Sequence, residues 1–95
     1  MVTIEGKTIV IDNPRATLDD KTAFENAVNK LINENNTIIN VDLSKTVYIP
    51  SELLGYIMGK KRALNSRGMD IKIIAISEPL KKIFDEAKIS DFLGV

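Results

Sequence analysis

Two hydrophobic periods take turns along this chain, one of strand type and one of helix type, and that alternation limits the folds open to it. Val2 to Glu5 alternates apolar with polar, and "TIVID" at 8–12 resumes the period after "GK" at 6–7, a two-residue turn led by glycine. Phe24, Ala27, Val28, Leu31 and Ile32 then fall at i, i+3, i+4, i+7 and i+8, the stripe of a one-sided helix. "TIINVDL" at 37–43 reads as a strand, and a helix opens at Ser51 and runs to about Arg67, ahead of Gly68. "DIKIIAIS" at 70–77 is the next strand, and its unbroken "IIAI" predicts burial on both faces. A further helix carries Leu80, Ile83, Phe84 and Ala87 on one stripe, and "ISDFLGV" closes the chain as a short edge strand. The order is β-β-α-β-α-β-α-(β). Strands separated by helices require crossover connections. The expected fold class is therefore α/β, with a mixed, mostly parallel sheet of four to five strands, one antiparallel hairpin strand and three to four helices.

Local signals mark the helix ends. Thr17 followed by Asp20 resembles a capping box, and Asp19 and Asp20 sit favourably near the positive end of the first helix. Ser51, after Pro50, reads as the N-cap of the second helix, and Ser77, with Pro79 in the first turn, as that of the third. The predicted core is Phe24, Val28, Leu31, Ile39, Val41, Ile57, Ile73, Ile74 and Phe84. Gly55 and Gly59 fall inside the second helix, where each costs about 1 kcal/mol relative to alanine. Lying one turn apart, they are expected to form a groove for close packing against a neighbouring backbone.

The 95 residues make one domain, 1–95, with no repeat or linker. Cysteine and histidine are both absent, so no thiolate nucleophile, disulfide, imidazole metal site or Ser-His-Asp triad can be built, and no cofactor is implied. Thirteen basic residues balance thirteen acidic ones. A nucleic-acid partner is disfavoured by that balance, because phosphate neutralisation normally needs a net basic surface. The run Lys60-Lys61-Arg62 reads first as a solvated face near the negative end of its helix, and second as a docking patch for an acidic surface. No apolar run approaches a membrane span, and "MVTIEGKTIVID" carries charge early, unlike a signal peptide, so the expected location is cytoplasmic.

With "VDLSKTVYIPSELLGYIMGKKRALNSRGMDIKIIAISEPLKKIFDEAKI" after "ATLDDKTA", nearly the whole chain, in its element order, resembles the STAS domain of bacterial anti-sigma-factor antagonists. That family has a strand ending in an L-D-L-S-like sequence, a loop ending in D-S-[SAT]-G-L-G, a helix, a glycine, a strand ending in serine, and a V-x-[KR]-[LI]-F-like helix. Here stand Asp42-Leu43-Ser44, then Ser51, Leu54-Gly55 and Gly59, then Gly68, Ile73 to Ser77, and Leu80-Lys81-Lys82-Ile83-Phe84. Upstream, "ATLDDKTA" at 16–23 is similar to the family's G-E-L-D-x-x-T-A entrance to its first helix. The resemblance implies a non-enzymatic switch. An anti-sigma factor that is also a serine-protein kinase binds the unphosphorylated domain and releases its sigma factor. It then phosphorylates the serine at the mouth of the second helix, which ends the complex. The matching position is Ser51, with Asp19, Pro50, Ser51, Glu52 and Leu53 as the implied partner-binding residues. Pro50, Glu52 and Leu53 replace the family's aspartate, small residue and glycine, and "PSEL" also fits an accessory or scaffold subunit of a signalling or transport complex that is never phosphorylated.

Two enzyme-like or receiver-like readings have less behind them. A receiver domain could use Asp42 at the end of its third strand, but it needs an acidic pair after the first strand, where only Asp12 stands. A hydrolase could pair Ser51 with a lysine base, the nearest being Lys45, but nothing in the sequence fixes their geometry. No phosphate-cradling glycine loop is present.

Overall fold

The computed structural model describes residues 1–95. Strand β1 (Val2–Glu5) turns at Gly6, whose φ of +65° is a left-handed conformation that glycine adopts without a Cβ penalty, into β2 (Thr8–Ile11). Helix α1 (Leu18–Asn33), strand β3 (Ile38–Leu43), helix α2 (Ser51–Asn65) and strand β4 (Asp70–Ile76) follow. Two further helices, α3 (Glu78–Glu86) and α4 (Ser90–Leu93), complete the chain. The sheet order is β1-β2-β3-β4, antiparallel between β1 and β2 and parallel in the other two pairings. It is an α/β fold with a four-stranded mixed sheet and four helices. "ISDFLGV" is thus a helical turn, not a fifth strand.

Both crossovers advance across the sheet in the same direction, and right-handed connections then place α1 and α2 on one face. The register agrees. Ile9, Val41 and Ile73 form one cross-strand row, Ile39 and Ile71 another, and all are buried on the helix side. Phe24 of α1 meets Tyr56 of α2 edge to face, with ring centroids 6.0 Å apart, and Arg62 of α2 lies over the Phe92 ring of α4. Helices α1 and α2 thus lie side by side on one face, and α3 and α4 add Leu80, Phe84 and Leu93 to the same core. A continuous cluster of 19 buried hydrophobic residues fills the space between the layers, including Phe24, Leu31, Leu53, Ile57, Leu80 and Phe84. The other face, with Thr3, Thr8, Asn40 and Lys72, carries no helix, and Val10 is its only buried residue.

Four expectations are corrected here. Ile74 is 56% exposed because strand alternation sets it, like Lys72, on the sheet face that carries no helix; there the β3–β4 register also shifts, Asp42 pairing with Ala75 so that Ile74 bulges from the ladder. The strand is therefore buried on one face only, despite its apolar run. Ser51 does not cap α2: Pro50 occupies the N-cap, with extended dihedrals and no side-chain cap, and Ser51 is the first helical residue. Gly55 and Gly59 pack against nothing, since a Cβ built on either meets no heavy atom within 4 Å. Lys61, in the basic run, points inward. It is buried, and its Nζ bonds Asp70 at 2.7 Å and the Ile71 carbonyl at 2.8 Å, tying α2 to β4.

Other local signals hold. Thr17 and Asp20 form a reciprocal capping box, and Ser77 caps α3 by accepting from the Leu80 N–H. Leu80 and Phe84 are the buried half of the α3 stripe, while Ile83 and Ala87 remain exposed.

Candidate functional site

The site builds on the loops that leave the C-terminal ends of the parallel strands, the usual location of function in open α/β sheets. The loop after β2 and the loop after β3 are joined backbone to backbone. The Val47 and Tyr48 N–H groups both donate to the Pro14 carbonyl, at 2.8 and 3.1 Å, and the Ala16 N–H donates to the Tyr48 carbonyl at 3.0 Å. The Arg15 guanidinium lies 4.8 Å from the centre of the Tyr48 ring. Beneath them Thr46 is fully buried, and its hydroxyl donates to the Ile11 carbonyl at 2.9 Å. The Ser77 hydroxyl donates to the Thr46 carbonyl at 2.6 Å while accepting from the Leu80 N–H. One chain of bonds thus fixes the ends of β2, β3 and β4 and the entrance to α3. The platform is held by bonds within the chain itself.

Ser51 stands at the edge of this platform, exposed, with no capping bond from its side chain. In α2 the first N–H groups with a backbone partner are those of Leu53 and Leu54, which both donate to the Pro50 carbonyl, at 3.0 and 3.1 Å. Those of Ser51 and Glu52 have none. The helix therefore offers a free hydroxyl beside two free donors at the positive end of its dipole. Glu52 is exposed next to it, and Pro50 is half-buried.

Asp19 is exposed in the first turn of α1, at the same end of the sheet. Leu53 is not part of this surface: at 0% exposure it is a core residue, because its position in α2 faces the sheet. The geometry adds four residues that the sequence reading passed over. Arg15, Leu18, Val47 and Tyr48 are all exposed at this end. Leu18, one residue after the Thr17 cap and off the Phe24 stripe, was the signal available for an apolar residue left outside the core.

The electrostatics here centre on Asp20. Burial alone would push its pKa up, but hydrogen bonds from Asn13 Nδ2 (3.0 Å) and the Thr17 N–H (2.9 Å), with the α-amino group of Met1 3.8 Å away, hold it below the ordinary value. Asp12 is also lowered, chiefly by its hydrogen bond to the Met1 amino group. These are structural carboxylates, engaged by the capping box and the chain terminus. Nowhere do three His, Cys, Asp or Glu side chains converge on a point that could hold a metal ion. A surface concavity along α3, between Glu78, Lys82 and Asp85, has no hydrophobic residue in its walls. No helix is long and apolar enough to cross a membrane.

Compared with known proteins, the chain matches no family model, and no curated protein matches it.

Proposed function

We propose that this chain is a STAS-like, anti-sigma-factor-antagonist type of regulatory protein, a non-enzymatic binding module whose partner is an anti-sigma factor with serine-kinase activity. The observation that carries the reading is Ser51. Its hydroxyl is exposed, free of any capping role, and set at the mouth of α2 on a hydrogen-bonded loop platform. A kinase can reach such a hydroxyl without unfolding anything. A phosphate placed there meets the free N–H groups of the helix entrance, so it is accommodated locally and acts on the partner instead. Arg15, Leu18, Val47 and Tyr48 supply the mix of aromatic, apolar and cationic surface on which a protein partner docks. Asp19, Pro50 and Glu52 complete that surface, and the expected setting is the cytoplasm.

A second reading has one observation in its favour. Glu52 already places an exposed carboxylate beside Ser51, so the unmodified site has the negative charge that phosphorylation would bring. A STAS-like accessory or scaffold subunit, not switched by phosphate, fits that arrangement. The deciding experiment incubates the protein with an anti-sigma serine kinase and ATP and locates phosphate by mass spectrometry. Modification at Ser51, with weakened partner binding by Ser51→Asp, supports the switch. No modification there, with binding unchanged in Ser51→Asp, moves the function to the scaffold.

A further inference from the structure

The two edges of the sheet are finished differently. In β4 the Asp70 N–H donates to Thr37, so the backbone groups of Ile71 and Ile73 point away from β3, toward the free edge. That edge is protected. Ile71 is 1% and Ile73 9% exposed, Lys61 bonds the Ile71 carbonyl, and the bulge at Ile74 breaks the ladder beyond. At the opposite edge the Asp12 N–H donates to the Met1 carbonyl at 3.1 Å, which makes Met1–Asp12, Thr3–Val10 and Glu5–Thr8 the hydrogen-bonded pairs. The N–H and C=O groups of Val2 and Ile4 therefore point outward, and no turn, loop or side-chain hydrogen bond reaches them. β1 contains no proline, bulge or lysine, and Val2, Thr3 and Ile4 remain partly exposed.

We infer that this edge is a strand-pairing surface and that its occupant is the β1 edge of a second copy of this chain, antiparallel about a two-fold axis at Thr3. The pattern is self-complementary. Val2 lies opposite Ile4 of the second copy, and these two exchange a pair of backbone hydrogen bonds on each side of the axis. Their side chains meet on the helix face, where Val2 and Ile4 already pack part-buried against the core. Thr3 meets its own symmetry mate on the open face, a favourable cross-strand pair. The union is a continuous eight-stranded sheet. Because β1 has only 4 residues, the contact is small and the dimer is weak and concentration-dependent.

The test is sedimentation equilibrium from the micromolar into the millimolar range. The weight-average mass should rise from the monomer value of 10.6 kDa toward twice that. Thr3→Glu and Thr3→Lys each place like charges on the axis and should stay monomeric, while an equimolar mixture of the two should associate again. Because the chain has no cysteine, Thr3→Cys should oxidise to a disulfide-linked dimer, opposed residues of a non-hydrogen-bonded pair having Cα atoms about 4.5 Å apart. Asn26→Cys, exposed on α1, should not do so at the same concentration. A mass that stays at the monomer value throughout overturns the inference. So does a dimer indifferent to Thr3→Glu, or cross-linking no faster through Thr3→Cys than through Asn26→Cys.

Discussion

At the scale of single residues, the contrast between two serines shows how little a cap motif says without its geometry. Ser51 and Ser77 both stand at helix entrances within two residues of a proline, yet only Ser77 takes the N-cap, and it also bonds the Thr46 carbonyl. The order of the pair decides it: Pro50 precedes its serine and takes the extended cap position itself, whereas Pro79 follows Ser77 inside the first turn. Ser77→Ala should therefore cost about 1–2 kcal/mol in urea denaturation, the usual range for a lost cap, with the Thr46 bond pushing it upward. Ser51→Ala should stay within about 0.5 kcal/mol of the parent, as for a surface change that removes no bond. Ser51→Asp should match or exceed the parent, because a negative charge in the first turn of a helix is worth about 0.3–1 kcal/mol. A Ser51→Ala loss as large as that of Ser77→Ala would show that the hydroxyl does cap α2. The expected pair of results would leave the Ser51 hydroxyl free for a partner or a kinase.

At the scale of elements, α2 carries both a device the fold uses and one it does not. Lys61 with Asp70 fixes the helix to β4 from a site where the lysine side chain is only 10% exposed. Lys61→Ala should cost about 2–4 kcal/mol, since it strips a part-buried carboxylate of its partner, whereas Lys60→Ala next to it should be close to neutral. The glycines behave oppositely. With open space around both and no positive φ, Gly55→Ala and Gly59→Ala should each raise stability by up to about 1 kcal/mol, seen as a higher melting temperature. Nothing within the fold explains why glycine stands at either position. Periodicity and local capping made the element order, the α1 stripe and the Thr17–Asp20 box legible in the sequence, because those signals act within a few residues. The inward turn of Lys61, the bulge at Ile74 and the burial of Leu53 depend on which strand or helix lies alongside, and no local pattern carries that. For α4 a signal existed. Ile89, Phe92 and Leu93 are spaced i, i+3, i+4, and the Gly94 φ of +75° ends the turn they start.

At the scale of the whole molecule, the absence of histidine and the placement of a few aspartates together set how stability responds to pH. No side chain of ordinary pKa titrates between about pH 5 and 7 in a chain without histidine or cysteine, so stability should be flat across that range. Above it the Met1 amino group, raised from its ordinary 8.0 chiefly by its hydrogen bond to Asp12, loses its stabilising proton as pH rises. The acid side is different. Asp12 is lowered chiefly by the Met1 amino group, Asp20 is lowered because its hydrogen bonds outweigh its burial, and Asp85 is lowered by the Ser90 hydroxyl and then Lys81. A carboxylate whose folded pKa is lowered stabilises the fold above its unfolded value, here 3.8, and loses that contribution as pH falls through the lowered folded value. The three sit at two joints: Asp12 at the end of β2 and Asp20 at the entrance of α1 share the Met1 amino group, and Asp85 stands where α3 meets α4. Protonation should therefore loosen both ends of the molecule together. Urea midpoints measured at steps from pH 7 to pH 2.5 should hold level down to about pH 5 and then fall. Asp20 is the sharpest probe, being the buried member of the set. Asp20→Asn should lower the midpoint at pH 7, where it removes the capping-box carboxylate, and should flatten the decline below pH 4, where the parent carboxylate is itself being protonated. A variant that falls in parallel with the parent across the whole acid range would show that Asp20 does not carry this dependence.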